Sequence, residues 1–175
     1  PQQSGVGMAA SPSIGDIDGD GSVEIVQGSY EDGKIYAWHI DGSPVINWPV
    51  DLGDTISGAV NLSDLDDDGE LEIVVGALTR VPVPGGWAGA MQGEGKIHAY
   101  QADGLTELTG WPLDVEVGAP PSTPAIGDID KDGDLEVIVR SKNYLYAFHD
   151  DGLPVSGAWP LDLVNYSRSA PILGD

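Results

Sequence analysis

The chain has no cysteine, so disulfides and thiolate chemistry are excluded. A chain without disulfides that works outside the cell needs another staple, and metal ions are the usual one. Basic residues are scarce: 7 Lys and Arg stand against 29 Asp and Glu, for a formal net charge of −22. Such a surface repels phosphate backbones and anionic headgroups, so nucleic acid is not an expected partner. No apolar run approaches the roughly 20 residues of a membrane span, and no membrane insertion is expected. No segment shows the 3.6-residue periodicity of an amphipathic helix. There is no G-x-S-x-G, no H-E-x-x-H and no P-loop, so the common hydrolase, metalloprotease and nucleotide signatures are missing. The chain begins at Pro1 rather than Met and shows no signal peptide, which reads as a processed or cut polypeptide. At 175 residues it is long enough for a single domain, 1–175.

What the chain does have is one acidic loop written three times. Asp16-Ile17-Asp18-Gly19-Asp20-Gly21-Ser22-Val23-Glu24 recurs at Asp64–Glu72 and at Asp128–Glu136. Each copy places carboxylates at positions 1, 3, 5 and 9: Asp16, Asp18, Asp20 and Glu24; Asp64, Asp66, Asp68 and Glu72; Asp128, Asp130, Asp132 and Glu136. Glycine holds position 6, where a sharp turn needs positive φ. Four carboxylates in nine residues repel one another, and a hard divalent cation removes that repulsion. Ca²⁺ takes six to eight oxygens in flexible geometry, so three Ca²⁺ sites are predicted. The residues at position 7 (Ser22, Glu70 and Asp134) are expected to add their backbone carbonyls. Three bound ions would still leave a net charge of −16.

An EF-hand is the obvious competitor. It needs a bidentate Glu at position 12 and flanking helices. Position 12 here is Gln27, Val75 and Val139, and each loop runs into a β-branched stretch such as Glu72-Ile73-Val74-Val75, which reads as a strand. The loops start at 16, 64 and 128, and Ser169–Asp175 repeats the prelude to a fourth, giving spacings of 48, 64 and 47. A period near 50 with several short strands per unit is the pattern of a propeller blade.

Four strands are read in each unit. The first precedes the loop and the second follows it. The third is Lys34–His39, Lys96–Gln101 or Tyr144–His149, followed by an Asp-Gly turn. The fourth carries Trp48-Pro49, Trp111-Pro112 or Trp159-Pro160, and proline suits an edge strand. The predicted fold is all-β, with β-propeller blades of four antiparallel strands. The repeats span approximately 8–56, 57–120 and 121–168, and 169–175 is the first strand of a further one. Three blades make an incomplete ring, because closure typically takes about four to eight. Further blades, from a longer parent chain or another subunit, are therefore expected partners.

The loops, together with "SPSIGD" and "STPAIGD" before them and "EIVQG" and "EIVVG" after them, resemble the FG-GAP/VCBS repeats of integrin-α-like calcium-binding propellers. The resemblance covers nearly the whole chain. It implies a propeller whose calcium loops join the first and second strands, with the twelve carboxylates named above as ligands. Two departures are Glu rather than Asp at position 9 and Arg140 where the other units have Gly28 and Gly76.

The second unit carries a long insertion between its second and third strands: 19 positions separate Gly76 from Gly95, against 5 from Gly28 to Gly33. It is rich in Gly and Pro and holds Trp87, a candidate contact for a protein or carbohydrate ligand. The alternative for Trp87 is that it pins the loop to the scaffold. His39, His98 and His149 lie on third strands and read as structural. Three functional readings follow. The first is a calcium-binding extracellular module, secreted or at the cell surface, serving adhesion, ligand binding or assembly. The second is the propeller of a secreted polysaccharide-degrading enzyme. The third, a quinoprotein-like propeller, rests only on "GKIYAW" followed by "DG".

Overall fold

A computed structural model describes residues 10–56, 58–79, 81–82, 91–115, 121–164 and 169–174. Among these residues there is no helix, and three antiparallel sheets follow one another along the chain. The first sheet has the order β1 (Ser13–Gly15), β2 (Glu24–Gly28), β3 (Lys34–His39) and β4 (Val50–Asp51). In the middle sheet β5 (Thr55–Ile56) and β6 (Asn61–Ser63) both pair with β7 (Glu72–Leu78). A small hairpin, β8 (Val81–Pro82) with β9 (Met91–Gln92), follows β7. The sheet continues with β10 (Gly95–Tyr100) and β11 (Leu113–Val115). The third sheet has the order β12 (Ala125–Gly127), β13 (Glu136–Ser141), β14 (Tyr144–Phe148) and β15 (Leu161–Asp162).

Each unit is thus a meander, and its second strand is its most buried one. β7 is buried along its full length, because sheets lie against both of its faces. Val26, Ile35 and Ala37 of the first sheet pack with Ile56, Ile73, Val75 and Ala77 of the middle sheet. Val74, Ile97 and Ala99, on the other face of the middle sheet, pack with Val137, Val139 and Phe148 of the third. Fully burying a Val or Ile side chain is worth about 1.5–3 kcal/mol. A net hydrogen bond is worth about 0.5–1.5 kcal/mol. Face-to-face packing of sheets is therefore what holds neighbouring units together.

Three expectations need correction. The Trp-Pro pairs precede the fourth strands rather than lying in them. β4, β11 and β15 begin one to two residues later, and the three Trp-Pro bonds are cis. The first strand of the middle unit is split into β5 and β6, with Gly58 between them. A Cβ on Gly58 would lie 2.7 Å from Thr123 N, so the break lets the backbone of the third unit come close. Residues 169–174 form no strand. Leu173 nevertheless sits against Gly127, much as Leu62 sits against Gly15.

Candidate metal centres

The three acidic loops join the first and second strands of their sheets, at one end of each. The insertion of the middle unit leaves from the far end of β7, opposite its loop. Trp87 lies outside the described residues.

Positions 4 and 6 of each loop share the left-handed backbone region. Position 6 is glycine throughout, Gly21, Gly69 and Gly133, with φ of 87°, 93° and 107°. Position 4 is Gly19, Asp67 or Lys131, with φ of 72°, 58° and 67°. These two turns coil the loop so that its amides face inward onto the carboxylates. Asp16 accepts from Gly19 N and Gly21 N, both at 2.9 Å. Asp64 accepts from Gly69 N at 3.1 Å and Asp128 from Lys131 N at 2.6 Å. The position 5 carboxylates accept from the position 7 amides: Ser22 to Asp20 at 2.7 Å, Glu70 to Asp68 at 2.8 Å, Asp134 to Asp132 at 3.0 Å. Those bonds, with the Ser22 hydroxyl, hold Asp20 below its usual range.

The position 9 glutamates behave differently from the other loop carboxylates. Glu24, Glu72 and Glu136 are all 0% exposed. In each, Oε2 accepts the amide of position 2: Ile17 at 3.1 Å, Leu65 at 2.7 Å, Ile129 at 2.8 Å. The surroundings of the second oxygen, Oε1, differ between units. In the first it lies 3.3 Å from His39 Nδ1, which is also 3.9 Å from Asp18 Oδ2. In the third it lies 3.2 Å from His149 Nδ1. In the middle unit the matching residue is Gln101, whose Nε2 donates to Asp66 at 3.2 Å instead. Glu72 Oε1 is left buried with no hydrogen-bond partner, and so is Asp64 Oδ1. Burial first, and then the charges of Asp66 and Asp68, push the Glu72 carboxyl up to about 7.

Among the described residues, potential metal-ligand atoms come within 4.8 Å of one another in four sets. These are Asp16, Asp18 and Asp20; Asp18, Glu24 and His39; Asp64, Asp66 and Glu72; and Asp130, Asp132, Glu136 and His149. Of the predicted carboxylates, Asp68 and Asp128 stand outside these sets and are held by loop amides. Ser22, Glu70 and Asp134 have exposed side chains and meet the loop through their backbone amides, Ser22 also through its hydroxyl.

His39, Gln101 and His149 were missed as neighbours of the sites. The available signal was strand register. β2 and β3 pair Glu24 with His39 directly. Extending the observed registers by one residue brings Glu72 opposite Gln101 and Glu136 opposite His149. His98, three residues before Gln101 on its own strand, faces the other side of the sheet and pairs with Glu107 at 2.7 Å.

No protein-family model matches the chain, and neither does any curated protein. Among solved structures it is similar to the V. cholerae biofilm matrix protein Bap1, at 17% identity and a TM-score of 0.41. The match covers 89% of this chain and 29% of that one, so this chain spans less than a third of its length.

Proposed function

We propose that this chain is a calcium-binding β-propeller module of the FG-GAP/VCBS type, in which each acidic loop holds one Ca²⁺ that rigidifies its sheet. The observation that carries this reading is in the middle unit. Glu72 Oε1 and Asp64 Oδ1 are buried, lack hydrogen-bond partners and belong to one cluster with Asp66. Leaving a buried charged acceptor unmade is costly, and a cation among the three carboxylates would satisfy both atoms. The donor set is all oxygen, which suits a hard cation, and the coiled loop tolerates the irregular geometry Ca²⁺ accepts and Mg²⁺ does not. The Ca²⁺ would supply charge neutralisation and cross-linking of the loop; Asp64, Asp66 and Glu72 would hold it, with Asp68 and the Glu70 carbonyl close by in the loop.

Calcium at millimolar levels belongs to extracellular settings, where modules of weak affinity work. A secreted or cell-surface role in adhesion or assembly fits that requirement and the absence of cysteine. With Kd of about 10–100 μM and free calcium near about 1 mM, linkage gives roughly 1.4–2.7 kcal/mol per site. Excess chelator is therefore expected to lower the melting temperature markedly, with Ca²⁺ restoring it and Mg²⁺ restoring it poorly. Calorimetric melts with and without chelator check this, and superimposable curves would refute it.

A further inference from the structure

The three loops share a spacing but not a donor set. At the third, Asp130, Asp132, Glu136 and His149 each bring an atom within 4.8 Å of the others, so three carboxylates meet one imidazole. The first loop brings His39 together with Asp18 and Glu24. The set at the middle loop is all oxygen, because Gln101 stands in the histidine's place and its Nε2 donates to Asp66 at 3.2 Å.

The chain has three histidines, and His98 shows how one of them serves a carboxylate alone. His98 Nδ1 lies 2.7 Å from Glu107 Oε1, the length of a charge-assisted hydrogen bond. His39 and His149 stand further off, 3.3 and 3.2 Å from the Oε1 atoms of Glu24 and Glu136. That is long for a charge-assisted bond. It is close to the separation of two ligands on one small metal ion: Zn–N and Zn–O bonds of about 2.0–2.2 Å at tetrahedral angles put neighbouring donors about 3.4 Å apart. The glutamates are held ready for such an ion. Both are 0% exposed, and each uses Oε2 on the position 2 amide, which leaves Oε1 to be shared with the histidine. Asp130 and Asp132 are exposed, so the third set opens to solvent on their side and an ion can enter there.

Donor chemistry then separates the ions. Ca²⁺ takes oxygen ligands. Imidazole suits Zn²⁺ and the later transition metals. We propose that the third loop is also a zinc-class site, in which Asp130, Asp132, Glu136 and His149 hold a divalent ion that displaces Ca²⁺. The first loop is a weaker second site through Asp18, Glu24 and His39, and the middle loop, without an imidazole, takes only the hard cation. This proposal rests on the reading that the acidic loops are cation sites, and it names a further class of ion for two of them.

Titration calorimetry of Zn²⁺ into the whole chain, with calcium held in excess, tests it. Two equivalents of Zn²⁺ are expected, the tighter at the third loop. Histidine resonances report where they go: the first equivalent should move His149, the second His39, and neither His98. His149→Gln installs the residue that the middle unit carries at this position and so spares the fold, which circular dichroism checks. It should weaken the tighter equivalent by at least about tenfold, the cost of losing even an outer partner of a bound metal. Gln101→His should add a third equivalent at the middle loop. Zinc uptake that ignores both substitutions is carboxylate binding only and overturns the proposal, as does no uptake in the presence of calcium. A separate Ca²⁺ titration keeps the two readings apart. Zinc bound through His149 with no heat from Ca²⁺ refutes the calcium reading alone, and heat from Ca²⁺ with none from Zn²⁺ refutes this one alone.

Discussion

In the first and third units, the strand facing the acidic loop places a histidine against the buried glutamate; in the middle unit it places a glutamine. The backbone is otherwise the same: the same nine-residue spacing, the same position 2 amide on Oε2, the same zero exposure of the glutamate. The difference is confined to what Oε1 meets. An imidazole nitrogen stands 3.3 Å away in one unit and 3.2 Å in another. Gln101 turns to Asp66 and leaves Glu72 Oε1 alone. Under the proposed calcium reading, the two kinds of loop separate two jobs of a buried carboxylate, binding a cation and surviving without one. The histidine units have a resident partner for the metal-free state. The middle unit has none, so its stability should depend most on the ion.

The largest break in this comparison comes from deleting a ligand. Asp130→Ala removes one carboxylate from the set that also holds Asp132, Glu136 and His149. Titration calorimetry should count one fewer calcium, with about 1.4–2.7 kcal/mol of calcium-linked stability lost. The loops at Asp16 and Asp64 should keep their ions, because repeat stability is a sum of local and nearest-neighbour terms. Loss of all three sites together would show that the units do not act separately.

A pH series separates the middle unit from the others. The Glu72 carboxyl is raised from 4.5 to about 7 by burial and by Asp66 and Asp68. A raised pKa means the folded state holds the proton more tightly than the unfolded state. The stability that the neutral carboxyl contributes is therefore complete below about 4.5 and lost as pH rises through about 7. Glu72→Gln keeps a neutral side chain that still accepts from Leu65 N. In chelator, its melting temperature should match the natural chain at pH 4 to 5 and exceed it at pH 8. Equal melting temperatures across that range would show that Glu72 carries no such penalty.

The strands, the loops and the unit count were legible because each depends on local sequence repeated three times. Spacing alone found Glu24, Glu72 and Glu136, and the β-branched runs after them located β2, β7 and β13. The histidines were not legible as site neighbours, because their role is set by pairing across a hairpin, 15 residues away in the case of Glu24 and His39. The left-handed turn at position 4 was signalled by glycine only at Gly19; Asp67 and Lys131 adopt it without advertising it. The split of the first strand of the middle unit was hidden too, since its cause is the backbone of the next unit lying against Gly58. Features written into the repeated local sequence could be read from the chain; a pairing across a hairpin, a positive φ without glycine and a contact from the next unit could not.

The finest test exchanges the two partners. His39→Gln makes the first loop resemble the middle one and leaves Glu24 Oε1 without its imidazole. An unsatisfied buried acceptor costs about 1–3 kcal/mol, so the metal-free protein should lose stability of that order. With calcium bound the ion meets the same oxygen, so most of the loss should disappear. Gln101→His is the reverse exchange: it supplies Glu72 with a partner and should raise the melting temperature in chelator by a few degrees. The same substitution should weaken calcium at the middle loop, because the ion must then displace an existing contact instead of filling a vacant one. Melts in chelator and calcium, with calorimetric affinities for each variant, give four readings of one idea. If His39→Gln and Gln101→His shift stability in the same direction without metal, the histidines are not standing in for the ion.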